Sequence, residues 1–205
     1  MAAKLTETEI DLLQKLINTG VGAGAEKLNR ILSSRITLQA PRLRVLTLSE
    51  LIELISAGQH RYLTSVAMTF SGPFSGSAAL VFPENAATSL VGALVGEGFH
   101  DEEIDSMYKS VVIEFGNIVL NGVMGTIGNL ADSRLRFGSP QYLEATGKTF
   151  FTGKEDPGSL VLFVETMFRM DRMDVSGGLA IILEVEAIET LAGSIRTREI
   201  QQDEA

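Results

Sequence analysis

Cysteine and tryptophan are absent from the 205 residues, and there are only two histidines and five prolines. Without cysteine there is no disulfide framework, no thiolate metal site and no cysteine nucleophile. The histidines, His60 and His100, fall in polar stretches that read as solvated loops, which leaves little material for a histidine metal cage or a Ser-His-Asp triad. Positive charge is scarce: 17 Lys and Arg stand against 26 Asp and Glu, a net charge of -9. Such a chain lacks the basic footprint that phosphate backbones require, so nucleic acid is not an expected partner. The opening MAAKLTETEIDLL has no basic start, apolar run and cleavage site of a secretory signal. No stretch reaches ~18 uninterrupted apolar residues either. The expectation is a cytoplasmic protein without membrane insertion.

What is present suffices for a core. Apolar residues make up 45% and charged residues 21%, and at roughly 150 residues per domain the chain is one domain or two small units sharing a core. Thr6 and Glu9 form a capping box ahead of Ile10, Leu13, Ile17, Val21, Leu28 and Ile31, which recur at helical spacing and predict a helix over about 7–33. Ile36 to Leu46 alternates like a strand, and Pro41 within it indicates an edge or a bulge. A short helix (Ser49 to Ser56), two strands (Tyr62 to Phe70 and Ser77 to Phe82) and a helix (Glu84 to Val95) follow.

The order then recurs. A long helical pattern runs from about Ile104 to Leu130, followed by an extended piece, Leu135 to Tyr142, interrupted by Pro140. A polar loop near Gly147 to Gly158 leads to strands at Leu160 to Met170 and Leu179 to Val185, and then to a helix at about Glu186 to Ile195. Asn18 and Pro41 are separated by 22 residues, as are Asn117 and Pro140, a shift of 99 positions in both cases. Ser75-Gly76 matches Ser176-Gly177, and Leu90 matches Leu191, at a shift of 101. These matches predict an α+β fold built as a pseudo-two-fold internal repeat, with long helices packed on one face of a mostly antiparallel sheet. Residues 1–205 then form a single domain of two repeats, about 7–98 and 104–195, and the polar tail 196–205 is expected to fray.

The second long helix carries a polar stripe that is a candidate site. In SVVIEFGNIVLNGVM, residues 110–124, the only polar side chains are Ser110, Glu114, Asn117 and Asn121. Their spacing of 4, 3 and 4 places them within about 60° on a helical wheel. A lone buried Glu would need a partner, so the stripe is expected to face solvent. An ordinary amphipathic helix also has a solvent stripe, but two asparagines beside glycine are poor helix formers and cost stability there. The first helix carries the comparable set Asp11, Lys15 and Asn18.

The resulting pattern, [Asp/Ser]-x3-[Glu or Lys]-x2-Asn-x22-Pro, resembles the signature of the CheC-type chemotaxis phosphatase family, which includes the CheX and FliY relatives. The chain looks most like a stand-alone CheC with one intact site. The second copy (Ser110, Glu114, Asn117, Pro140) matches every defined position, whereas Lys15 in the first stands where active copies carry Glu. The resemblance implies a hydrolase acting on the aspartyl phosphate of a CheY-type receiver domain in two-component signalling. By that resemblance Asn117 orients the attacking water, Glu114 pairs with the receiver's active-site lysine, and Ser110 and Asn121 support them. Pro140 is structural, and Asp11, Lys15 and Asn18 form a degenerate first site. No cofactor or metal is expected on this chain; Mg²⁺ belongs to the phosphorylated partner. The alternative is a non-catalytic adaptor that binds the CheD deamidase or a flagellar-switch component.

Two other signals carry less. Gly20, Gly22 and Gly24 mimic a dinucleotide loop, but they lie inside a helical pattern with no preceding strand, so close helix packing is the expected role. The methionines at 167, 170 and 173 read as ordinary apolar material at a strand end and turn.

Overall fold

The computed structural model describes residues 5–31, 35–57, 63–95, 101–130, 134–146, 159–170, 173–183, 187–188, 190–194 and 196–197. Elements follow in the order α1 (Glu7–Ile31), β1 (Ile36–Thr47), α2 (Leu48–Ala57), β2 (Leu63–Ser71), β3 (Gly76–Pro83), α3 (Glu84–Val95), α4 (Asp101–Leu130), β4 (Arg136–Phe137), β5 (Gln141–Ala145), β6 (Leu160–Met170) and β7 (Met173–Leu183). Residues 187–188, 190–194 and 196–197 are helical. His60, His100 and the loop near Gly147 to Gly158 lie outside the described residues.

All seven strands form one antiparallel sheet, ordered β1-β6-β7-β3-β2-β4, with β5 also paired to β2. The order reads the same from either end when β1 is matched with β4 and β5, β2 with β6, and β3 with β7. Each outer strand therefore pairs with the hairpin of the opposite half. Ile36 to Thr47 runs along β6, and Gln141 to Ala145 runs along β2.

The long helices α1 and α4 cover one face, where Leu13, Ile17, Val112, Phe115, Val119 and Val123 pack on inward residues of the strands. Ala187, Ile188, Leu191 and Ala192 complete that core. On the other face the short helix α2 places Leu48 and Leu51 over Leu63, Val81, Val161 and Phe163. By length and composition, residues Ser106–Asn129 of α4 could cross a membrane. Here their apolar side chains are taken up by α1 and the sheet.

The glycines of α1 serve the helix pair. A Cβ at Gly20 would lie 2.5 Å from the Cα of Val123, one at Gly24 3.2 Å from the Cα of Val119, and one at Gly122 2.6 Å from the carbonyl oxygen of Gly20. The backbones thus approach as closely as glycine allows, and the helices run in opposite directions. Gly22 points into open space.

Two strand readings shift. The piece read as Leu135 to Tyr142 is split into β4 and β5 by residues 138–140, which end at Pro140 and are not strand, although the Gly138 N–H still donates to the Thr69 carbonyl of β2 (2.9 Å). Strand β7 begins at Met173, not at Leu179, and continues through Gly177-Gly178. Gly178 is a packing position: a Cβ there would lie 2.7 Å from the Phe163 ring. In β1 the register against β6 slips between Gln39 and Arg42, the bulge that Pro41 foretold.

Side chains of α1 stitch this bulged edge strand. Asn29 donates to the Ile36 carbonyl (2.8 Å) and accepts from the Ile36 N–H (2.5 Å). Gln14 donates to the Ala40 carbonyl (2.6 Å) and accepts from the Leu43 N–H. Asn18 Oδ1 accepts from the Ala40 N–H (3.3 Å). An antiparallel edge strand turns alternate backbone groups away from its only neighbour. Three carboxamides on one helix satisfy such groups here.

The N-terminus of α1 is anchored as well. Glu9 accepts from the Thr6 N–H (2.7 Å) in the expected capping box and also from Arg196 (2.7 Å). Burial alone would raise the Glu9 carboxyl. The N–H and hydroxyl of Thr6, together with the Arg196 guanidinium, outweigh it and hold the group below its ordinary value. Arg196, the first residue of the segment expected to fray, is therefore tied to the other end of the chain.

Candidate functional site on the second long helix

Residues interleaved with the expected stripe, on the other side of the helix, hold α4 to the sheet. Phe115 is buried among Phe168 (ring centroids 5.3 Å) and Phe82 (6.1 Å). Beside it Gly116 lies on β2, where a Cβ would meet Val66 at 2.5 Å. Near the start of α4, Tyr108 meets Tyr142 of β5 edge to face at 6.3 Å, and the Lys109 ammonium lies 5.9 Å from the same ring. Burial, then a hydrogen bond to Glu144 and the neighbouring Tyr108 and Glu144, push the Tyr142 phenol well above its ordinary range, so it remains a donor.

With those anchors set, Ser110 and Glu114 are exposed, and Asn117 and Asn121 are half-buried. The four residues share one face along ~16 Å of helix. Ser110 donates to the Ser106 carbonyl (2.8 Å), which leaves its oxygen lone pairs outward. Asn121 Nδ2 donates twice, to the Asn117 carbonyl (2.8 Å) and to Asn117 Oδ1 (2.6 Å). Among the described residues Glu114 has no hydrogen-bond or ion-pair partner. The stripe thus offers a carboxylate, a carboxamide and a hydroxyl to whatever docks. Among the described residues no cluster of three or more His, Asp or Glu is arranged to hold a metal ion.

On α1, Asp11, Lys15 and Asn18 are exposed. Because α1 and α4 are antiparallel, with Gly20 against Val123 and Gly24 against Val119, the two sets lie toward opposite ends of the helix pair. The Asn18 oxygen is engaged by the Ala40 N–H. At the position of Gln14, one repeat further on, stands Ile113, which cannot make the corresponding bonds to the strand.

A family model described as "Chemotaxis phosphatase CheX" matches residues 64–162. The CheY-P phosphatase CheC of Bacillus subtilis (strain 168) is 25% identical over 134 residues, 64% of this chain and 64% of that protein's length. The chain is thus similar to the CheX family over about half of its length and to CheC over 64% of it. CheC1 of Halobacterium salinarum is 19% identical over 199 residues, 95% of this chain and 100% of that one. In fold, the FliY structure from Thermotoga maritima superposes with a TM-score of 0.76 at 16% identity, covering 95% of this chain and 99% of that one.

Proposed function

We propose that the chain is a hydrolase that removes the phosphoryl group from the aspartate of a CheY-type receiver domain, a reading supported by the name of the Bacillus subtilis relative and carried by one observation. That observation is the pairing of Glu114 and Asn117 one turn apart on the outward face of a helix anchored by Phe115 and Gly116. Of the two repeats, about 7–98 and 104–195, the second is the working one. An aspartyl phosphate with Mg²⁺ already held by the receiver needs positioning and electrostatics more than covalent help. The water oxygen bonds to phosphorus and the bond from phosphorus to the aspartate oxygen breaks. The receiver regains its carboxylate, inorganic phosphate leaves, and the water proton passes to phosphate or solvent. Asn117 orients that water, Glu114 pairs with the receiver's active-site lysine, and Ser110 accepts at the rim. Lys15 in the first copy would face the same lysine with a like charge, which costs several kcal/mol at an interface.

The test is the decay of a phosphorylated CheY-type receiver in Mg²⁺ with wild type, Glu114→Ala, Asn117→Ala and Asn18→Ala. The expected result is accelerated decay with wild type and Asn18→Ala, and loss of about a hundredfold or more with Asn117→Ala, the scale of removing one preorganised transition-state contact. Unchanged decay with wild type would replace this reading by that of an adaptor for CheD or a switch component.

A further inference from the structure

We propose that Asn121 is a positioning residue that fixes the Asn117 carboxamide in both rotamer and sense, so that its nitrogen leads outward; its catalytic consequence rests on the phosphatase reading. The argument begins at the main-chain carbonyl of Asn117, which can only accept a hydrogen bond. The Asn121 atom 2.8 Å from it is therefore the amide nitrogen, a donor. That nitrogen also lies 2.6 Å from the side chain of Asn117, so the atom it meets must be an acceptor, Oδ1. The sense of the Asn117 amide is thus dictated by a carbonyl that cannot change its role. Without Asn121 the two ends of the Asn117 amide are nearly equal in shape and free to exchange.

The fixed sense assigns work to each atom of Asn117. Nδ2, whose hydrogens have no partner among the described residues, donates to a phosphoryl oxygen of the docked receiver. The lone pair of Oδ1 not used by Asn121 accepts a hydrogen of the water and leaves the water's own lone pair toward phosphorus. A carboxamide turned the other way would aim an acceptor at phosphoryl oxygens and repel them. The first copy has Gly22 at the position of Asn121, so it has no such device.

The test combines kinetics with side-chain amide NMR. Asn121→Ala is expected to lower kcat about tenfold at unchanged KM for the phosphorylated receiver, a positioning loss. Asn121→Asp keeps the size, removes the donor and is expected to lose as much. In an Asn117→Ala background, Asn121→Ala should cost nothing further, because the two act as one unit. In ¹⁵N spectra the side-chain amide of Asn117 should be displaced from free-amide shifts in wild type, and each of its two protons, which stay distinct, should move toward its free-amide value in Asn121→Ala. Unchanged Asn117 amide shifts, full kcat in Asn121→Ala, or additive losses would each overturn the proposal. If the shifts respond while wild type itself leaves receiver decay unchanged, the positioning stands and the phosphatase reading falls.

Discussion

Helices α1 and α4 occupy matching places on the sheet and use their carboxamides in opposite ways. On α1, Gln14, Asn18 and Asn29 reach sideways to β1 and bond its outward backbone groups. On α4 the position of Gln14 is taken by Ile113, and among the described residues the Asn117 side chain bonds within its own helix, to Asn121. The outer strand follows suit. On the α1 side it is a continuous twelve-residue strand with a bulge, and on the α4 side it is broken into β4 and β5. An asparagine oxygen bonded to a strand has less to offer a ligand, so on the proposed reading Lys15 and the engaged Asn18 oxygen would both count against the first copy. The α1 carboxamides are used on the strand, whereas Glu114 and the Asn117 amide nitrogen of α4 have no partner among the described residues.

The comparison is broken most severely at the crossing of the two helices. Gly122→Leu would place a side chain where a bare Cβ already meets the Gly20 carbonyl oxygen at 2.6 Å. It should cost about 3 kcal/mol or more, at the upper end of overpacking effects, read by urea unfolding. Gly22→Ala, which meets nothing, should instead stabilise by about 0.5–1 kcal/mol through helix propensity and lost unfolded-state freedom. Equal effects of the two would contradict the packing described.

Next in size are the paired asparagine variants. Asn117→Ala should abolish receiver turnover while shifting stability by less than about 0.5 kcal/mol, as an outward substitution does. Gln14→Ala should leave turnover intact and lose about 1–3 kcal/mol by orphaning two backbone groups. Measuring both quantities on both variants separates scaffold from site. A Gln14→Ala protein of full stability would show that β1 does not depend on α1.

The smallest effect is the pH dependence of the α1 anchor. Because the folded carboxyl of Glu9 lies below its unfolded value, its contribution is fully present above about pH 4.5, the ordinary value for the group, and is lost as pH falls through the lower folded value. Glu9→Gln should therefore unfold more easily than wild type near neutrality and approach it on acidification, followed by circular dichroism. A gap between the two proteins that stays constant with pH would rule this out.

Much of this could be read from the residues. The capping box at Thr6 and Glu9, the extents of α1 and α3 and the 4-3-4 spacing on α4 are local patterns, and local patterns set local structure. The bulge at Pro41 followed from proline's missing N–H. The capping box Thr47-x-x-Glu50, with Glu50 accepting from the Thr47 N–H at 2.7 Å, was equally visible and would have placed the start of α2 at Leu48 instead of Ser49. Other features depend on contacts between distant segments. The strand start expected at Leu179 left out Gly177-Gly178, because the Phe163 ring that needs the space at Gly178 comes from another strand. Gln14 and Asn29 carry no signal of their own in the sequence, because the groups they satisfy belong to β1. The bond from Asn121 to Asn117, by contrast, is an i, i+4 pair, and the spacing already singled out both residues.

The exchange of outer strands between the halves also bears on how the molecule comes into being. Among the described residues strand β1 pairs with β6 alone, with Ile36 opposite Met170 and Thr47 opposite Leu160. At ~5–20 residues per second of synthesis, β1 waits on the order of ten seconds for that neighbour to be made. Contacts so distant along the chain are also slow to close once it is complete. Through that interval the carboxamides of α1 are the partners nearest to hand for β1's backbone, and a nascent strand held by its own helix is a poor template for pairing with a stranger.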